Sequence, residues 1–201
     1  MLLLLSACSG DSTEQKLSNI LSDIYDSEAD YREVQAELAE IEIKEQANFQ
    51  SMMELTKDQK EELTAQVEDT AKFLEERLAL IEKERSSISE ASAKLKDLED
   101  VISEAKSEPE KQSVKKVQEA LAKRYETYET LIVEYNNLAG LQEELYNMLI
   151  NEDANVGIIQ DQVAQVNKQN ELVQQTVDQF NELTNTLNEV KQEAFAELQS
   201  E

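Results

Sequence analysis

From Val67 to Ile102 every seventh residue is aliphatic: Val67, Leu74, Ile81, Ile88, Leu95 and Ile102. Seven residues are close to two turns of α-helix, so this run lays one narrow apolar stripe along a rod. A stripe of that kind must be covered by similar stripes, which restricts the chain to helix packed on helix. Leu63 and Leu98 extend the same seam. An earlier segment carries Leu17, Ile20, Ile24, Tyr31, Val34, Leu38, Ile41, Met52 and Leu55 at helical spacing. A later one carries Val114, Val117, Leu121, Tyr128, Leu131, Tyr135, Leu138, Leu145 and Leu149. The last reads Val156, Ile159, Val163, Val166, Val173, Val177, Phe180, Leu187, Ala194 and Leu198.

Breaks between these seams coincide with helix start signals. Ser12-Thr-Glu-Gln15 and Thr56-Lys-Asp-Gln59 have the form of capping boxes. Ser107-Glu-Pro-Glu110 adds a proline suited to a first turn. The polar stretch Asn151 to Gly157 favours a turn. Only three Gly and one Pro occur in 201 residues, which leaves little material for loops. The pattern predicts an all-α fold, an elongated up-and-down bundle of four long antiparallel helices with coiled-coil-like packing over residues 13–201. Each segment would be a rod of roughly 60–75 Å. Three rods remain the alternative, because no Gly or Pro enforces the Thr56 break.

The amino end carries a different signal. Leu5-Ser6-Ala7-Cys8 has the form of a bacterial lipobox, and Cys8 is the only cysteine. Small residues before it admit a signal peptidase, and the thiol then takes a diacylglyceryl group. Residues 1–7 read as a truncated lipoprotein signal peptide, because no Lys or Arg precedes the short apolar run. The true start is therefore expected upstream. Residues 8–12 would be the lipidated cysteine and its tether. The expected location is extracytoplasmic, anchored to the membrane through the acyl chains. No later apolar run approaches the roughly 18 residues that span a bilayer.

With 19 basic and 44 acidic residues the net charge is −25, and there is no histidine. Nucleic acid and anionic lipid are poor partners for such a surface. Catalysis finds no support: the chain lacks a histidine, a Gly-rich phosphate loop and a serine in a nucleophile elbow. Pairs such as Glu61-Glu62, Glu75-Glu76 and Glu143-Glu144 read as solvated faces. Asn151, Asp153 and Asn155 resemble the start of a calcium loop, but Val156 and Gln162 stand where that loop needs Gly and Glu. No cofactor and no metal site are expected.

Binding candidates are few. Lys111, Lys115, Lys116, Lys123 and Arg124 form the nearest approach to a basic face, a candidate contact for an anionic polymer. Tyr31, Tyr128 and Tyr135 fall on seams and are expected in the core, whereas Tyr25, Tyr125 and Tyr146 flank a seam and are expected half exposed. Asn170, Thr184 and Lys191 occupy seam positions of the fourth helix, where a buried polar residue sets register. That helix is rich in Gln and Asn, whose amides suit glycan hydroxyls or a protein strand.

The lipobox at Leu5–Cys8, the order of the four seams, and Leu145-Tyr-Asn-Met-Leu149 followed by a polar break resemble the YkyA-type cell-wall-binding lipoproteins of Gram-positive bacteria. The resemblance implies an all-helical surface lipoprotein that binds peptidoglycan or wall polymer, without catalytic residues. Cys8 is the one position it assigns. The residues themselves lead to a lipid-anchored envelope module contacting wall polymer, or alternatively to a scaffold or spacer that docks an envelope protein.

Overall fold

The computed structural model describes residues 11–56, 58–151 and 153–200, so the lipobox and the acylation position Cys8 lie outside the described residues. The first rod comprises α1 (Thr13–Ser27) and α2 (Ala29–Glu54). The second comprises α3 (Lys60–Ala93), a 3₁₀ turn at Lys94–Lys96, and α4 (Asp97–Glu104). Single helices make the third rod, α5 (Glu108–Ile150), and the fourth, α6 (Val156–Ser200). Four rods, not three, therefore pack together, and the described residues form no strand. The 45 residues of α6 extend about 67 Å.

Local chemistry explains most of the ends. Ser12 and Gln15 cap α1 reciprocally, each side chain accepting from the other's backbone N–H, at 3.1 and 3.0 Å. Ser107 and Glu110 do the same for α5, with Pro109 in its first turn. The expected box at Thr56 forms only in part. The Gln59 side chain accepts from the Thr56 N–H at 3.0 Å, but the Gln59 N–H donates to the Thr56 carbonyl. The residues thus close a turn, and α3 begins at Lys60. At the other turn, Asn155 Oδ1 accepts from the Gly157 N–H at 2.8 Å, capping α6.

Successive rods run antiparallel. Ser51 meets Gln66 between α2 and α3, Arg85 meets Glu129 between α3 and α5, and Gln162 meets Leu141 between α6 and α5. The seams fill the interior: Leu17, Ile88, Leu98, Val114, Val117 and Tyr128 have almost no accessible surface. The burial of Tyr125 and Tyr146 corrects the expectation that they are half exposed. The third rod packs against α3, α4 and α6, so more than one stripe of it is covered. Tyr25 is 60% exposed, with the Arg32 guanidinium 3.7 Å above its ring. The fourth seam starts later than its spacing suggests, since Val156 is 67% exposed.

The first rod bends at Glu28, a feature its seam does not announce. Ser87 of α3 inserts into the helical ladder there. Its hydroxyl donates to the Ser27 carbonyl at 2.6 Å and accepts from the Tyr31 N–H at 3.3 Å. Ser27 and Tyr31 are the i and i+4 partners that would otherwise bond directly, so the hydroxyl replaces that bond. Beyond the bend the packing changes: α1 touches α6, whereas α2 packs on α3 and stands away from α6. Replacing Ser87 with Ala removes the bridge and leaves two part-buried backbone groups unpaired. We expect a loss of about 1–3 kcal/mol in urea unfolding, against a change within about 0.5 kcal/mol for the exposed neighbour in Ser86→Ala.

Candidate functional site

Two layers of polar side chains interrupt the apolar seams. The first lies beside the bend. Arg124 of α5 reaches Glu28 with Nη1 2.6 Å and Nη2 3.4 Å from the carboxylate, and its Nε donates to Thr184 Oγ1 of α6 at 2.9 Å. The Tyr125 hydroxyl donates to the same carboxylate at 2.7 Å. Tyr31 packs edge to face on Tyr128 and Phe180, which are tilted against each other, with ring centroids 5.7–6.2 Å apart, and the guanidinium lies 4.5 Å from the Phe180 ring. Lys191 completes the layer; its pKa is lowered by burial, with Glu28 pulling it up again. Burial and the neighbouring Glu28 push the Tyr125 hydroxyl far above its ordinary range. This layer is closed, and all three nitrogens of its guanidinium are used.

The second layer lies further along, where α2 has left α6. Arg77 of α3 is 4% exposed, with Nη1 3.0 Å from Glu45 Oε2 of α2 and Nη2 donating to Gln142 Oε1 of α5 at 2.6 Å. Neither Glu45 oxygen receives a hydrogen bond, and Arg77 Nε has no acceptor. The Tyr135 hydroxyl donates to Glu42 at 2.8 Å, and Gln35 donates to Glu84 at 3.1 Å. Burial raises the Glu45 carboxyl to about 7 against the pull of Arg77. Burial also raises Glu84 to about 7, with the Tyr128 hydroxyl and the Gln35 amide acting in the opposite sense.

Over this second layer the bundle is unzipped. A cavity of about 630 Å³ opens between α2 and α6, with α3 and α5 as its floor. One wall presents Gln35, Ala39, Glu42, Gln46 and Phe49 from α2, and the other Val163, Asn167, Asn170 and Gln174 from α6. Both walls repeat at three- and four-residue steps, the spacing of helical faces that would otherwise meet. The interior of the cleft is mixed: the aliphatic side chains of Leu38, Ile81, Ile132, Leu138 and Val173 lie beside the polar layer of Glu45, Arg77, Glu84 and Gln142. The volume falls in the range of small-molecule sites.

The residues singled out from sequence sit elsewhere or play other parts. Lys115, Lys116 and Lys123 are exposed on α5 and Lys111 is half-buried near its start. Lys115 faces Glu119 at 3.7 Å, and Lys116 lines a shallow hollow with Glu193 and Glu197. Acidic neighbours thus dilute the basic face. Arg124 leaves the group altogether: it is 4% exposed and spent on Glu28. Of the fourth-helix amides, Gln162 and Gln169 turn toward α5 and donate to Leu141 and Glu134, so they fasten the rod. Asn170 faces the cavity. Glu45, Arg77 and Glu84 were not read from the sequence. Their signal was present as gaps: Thr70, Arg77 and Glu84 recur every seven residues, ahead of Ala91 and Leu98 on the same face.

These observations define a class: a long all-helical rod bundle, closed over part of its length and split along one seam. No helix among the described residues is long and apolar enough to cross a membrane. Residues 12–197 match the family model YkyA, described as "Putative cell-wall binding lipoprotein", and the chain belongs to that family. It is 24% identical over 195 residues to the uncharacterized lipoprotein YkyA of Bacillus subtilis (strain 168), covering 97% of this chain and 87% of that protein. A solved structure with a similar fold is a conserved protein of unknown function from Staphylococcus aureus, with TM-score 0.74 at 17% identity. The match covers 94% of this chain and 98% of that one.

The raised carboxyls give the fold a pH signature. Between the ordinary value of 4.5 and about 7, Glu45 and Glu84 hold protons in the folded state that they lose in the unfolded chain. Their contribution is full below about 4.5 and is lost as pH rises through about 7. Urea midpoints of the wild type should fall between pH 5 and pH 8. The double variant Glu45→Gln/Glu84→Gln should show a flatter profile, the difference amounting to a few kcal/mol at most.

Proposed function

We propose that this protein is a non-catalytic, lipid-anchored module on the outer face of the cell membrane, and that the cleft between α2 and α6 is where it binds cell-wall material. The observation that carries the reading is the split seam: a bundle that closes around α1 leaves two complementary helical faces apart around α2. The family description supports a wall ligand. The amino end supports the anchor, with residues 1–7 as the remnant of a signal peptide, Cys8 as the acylated residue, and residues 13–201 as the projecting domain. The charge distribution speaks against the Lys111, Lys115, Lys116 and Lys123 face as the main contact, since acidic side chains flank it.

A second reading rests on a different observation. Met53, Ile150, Val156 and Ile158 are exposed at the end of the bundle that holds both the α2–α3 and α5–α6 turns. An apolar tip remote from the anchor suits docking of an envelope protein, with the rod as scaffold or spacer.

Two measurements test the proposal. Metabolic labelling in the native host should place palmitate on the wild type and none on Cys8→Ser. The Cys8→Ser chain should pellet saturably with isolated cell-wall sacculi, with and without their anionic polymers. Lys115→Glu/Lys116→Glu should change that binding less than twofold. Loss of pelleting in the Lys variant would move the site to the basic face. No pelleting under any salt or calcium condition would remove the wall as ligand and leave the apolar tip as the better candidate.

A further inference from the structure

The cleft has a composition that selects among wall components. Each wall supplies side-chain amides, Gln35 and Gln46 from α2 and Asn167, Asn170 and Gln174 from α6, and between them aliphatic residues alternate with the buried layer of Glu45, Arg77, Glu84 and Gln142. An amide donates through its NH₂ and accepts through its carbonyl. Gln35 and Gln174 already donate to Glu84 and Asp178 and offer their carbonyls, while Gln46, Asn167 and Asn170 supply amides along the opening. Glu42 is the one carboxylate on the exposed rim, and it already accepts from Tyr135. Arg77 is the only cation lining the cavity, and its terminal nitrogens are committed to Glu45 and Gln142. A phosphate polymer would find no free cation here, and the net charge of −25 repels it further.

The residues of α2 that line the opening run from Gln35 to Phe49, about 21 Å at 1.5 Å per residue. A cavity of about 630 Å³ lies in the range of small-molecule sites, and a short oligosaccharide is an occupant of that size and length.

Building on the wall-binding reading, we infer that the α2–α6 cleft is a subsite for a neutral, N-acetylated glycan. Acetamido groups pair with the rim amides in both directions, and their methyl groups cover the aliphatic residues Leu38, Ile81 and Val173. A plain hydroxylated sugar leaves those residues uncovered. A deacetylated amino sugar lacks the acetamido group that pairs with the rim amides and covers the aliphatic residues. The glycan strand of peptidoglycan, a polymer of N-acetylated amino sugars, has the required chemistry.

The probe is the β-1,4-linked tetramer of N-acetylglucosamine, titrated into the full Cys8→Ser chain and followed by calorimetry and amide chemical shifts. Saturable binding is expected, at least tenfold weaker for the fully deacetylated tetramer. Asn170→Leu/Gln174→Leu, which replaces two exposed rim amides, should weaken binding at least tenfold while helicity is unchanged. Ala39→Trp, which fills the opening from the other wall, should do the same. No binding of the tetramer, equal or tighter binding of the deacetylated form, or binding unaffected by both cleft variants would overturn the inference. So would a concentration-dependent dimer that Ala39→Trp abolishes, since a second copy would then own the cleft. Sacculus pelleting that persists in Ala39→Trp would sink this assignment and leave wall binding intact, whereas absence of pelleting in the wild type would remove both.

Discussion

The hydroxyl of Ser87 decides the shape of this molecule. It occupies the gap between the Ser27 carbonyl and the Tyr31 N–H, at 2.6 and 3.3 Å, and so turns a broken helical bond into two tertiary ones. A helix that loses one ladder bond to an inserted side chain bends there without leaving buried polar groups unpaired. Glu28 sits at the bend and is held by Arg124 and Tyr125 from the third rod. The first rod is thereby fixed to both of its neighbours at the point where its direction changes. Before the bend α1 completes the bundle against α6; after it α2 follows α3 and the fourth seam stays open.

The two polar layers behave differently, and the difference follows from partner count. Around Arg124 the Glu28 carboxylate and the Thr184 hydroxyl accept from all three guanidinium nitrogens, and the Tyr125 phenol donates to the same carboxylate, beside a cluster of aromatic rings. A buried ion pair rarely adds stability over an apolar layer, but when fully bonded it fixes register. Around Arg77 the accounting is incomplete: Nε has no acceptor, and Glu45 is held by the nearby charge of Nη1 without an aligned hydrogen bond to either oxygen. Groups left in that condition are costly, and part of the cost is avoided by protonating Glu45 and Glu84 near neutral pH. The unfinished layer lies directly beneath the cleft, so the least satisfied part of the interior is also its most open part.

The rods were legible in the sequence because aliphatic spacing at seven residues is a strong and nearly unambiguous signal. Val67 to Ile102 found α3 and α4, and the boxes at Ser12 and Ser107 found the starts of α1 and α5. The bend was not legible, because its cause is a tertiary contact: Ser87 looks like any polar residue on a helix, and Glu28 like any surface acid. Arg124 was misplaced for the same reason. Counted with its lysine neighbours it resembles a surface patch, yet it fills the gap in the third seam between Leu121 and Tyr128. Gln142 fills the next such gap, between Leu138 and Leu145, and Glu45 the one after Ile41. A seam position that is polar carries more information than one that is apolar, since burial makes it find a partner. Asn170, expected from its seam position to be buried and to set register, is instead exposed on the rim of the cleft, because the seam it belongs to is open there.

Placement along the rod connects this architecture to the anchor. α1 begins at Thr13, five residues after the expected acylated cysteine, whereas the cleft begins at Gln35. At 1.5 Å per residue those 22 intervening steps set the cleft about 33 Å beyond the start of the bundle. The closed portion containing α1 and the Arg124 layer occupies that interval. Under the proposed anchoring at Cys8 this portion is the stalk on which the split portion is carried outward. A bend placed closer to Thr13 would bring the opening toward the membrane, and one placed later would shorten the cleft. Under that proposal the position of the bend at Ser87 sets the height of the opening above the membrane.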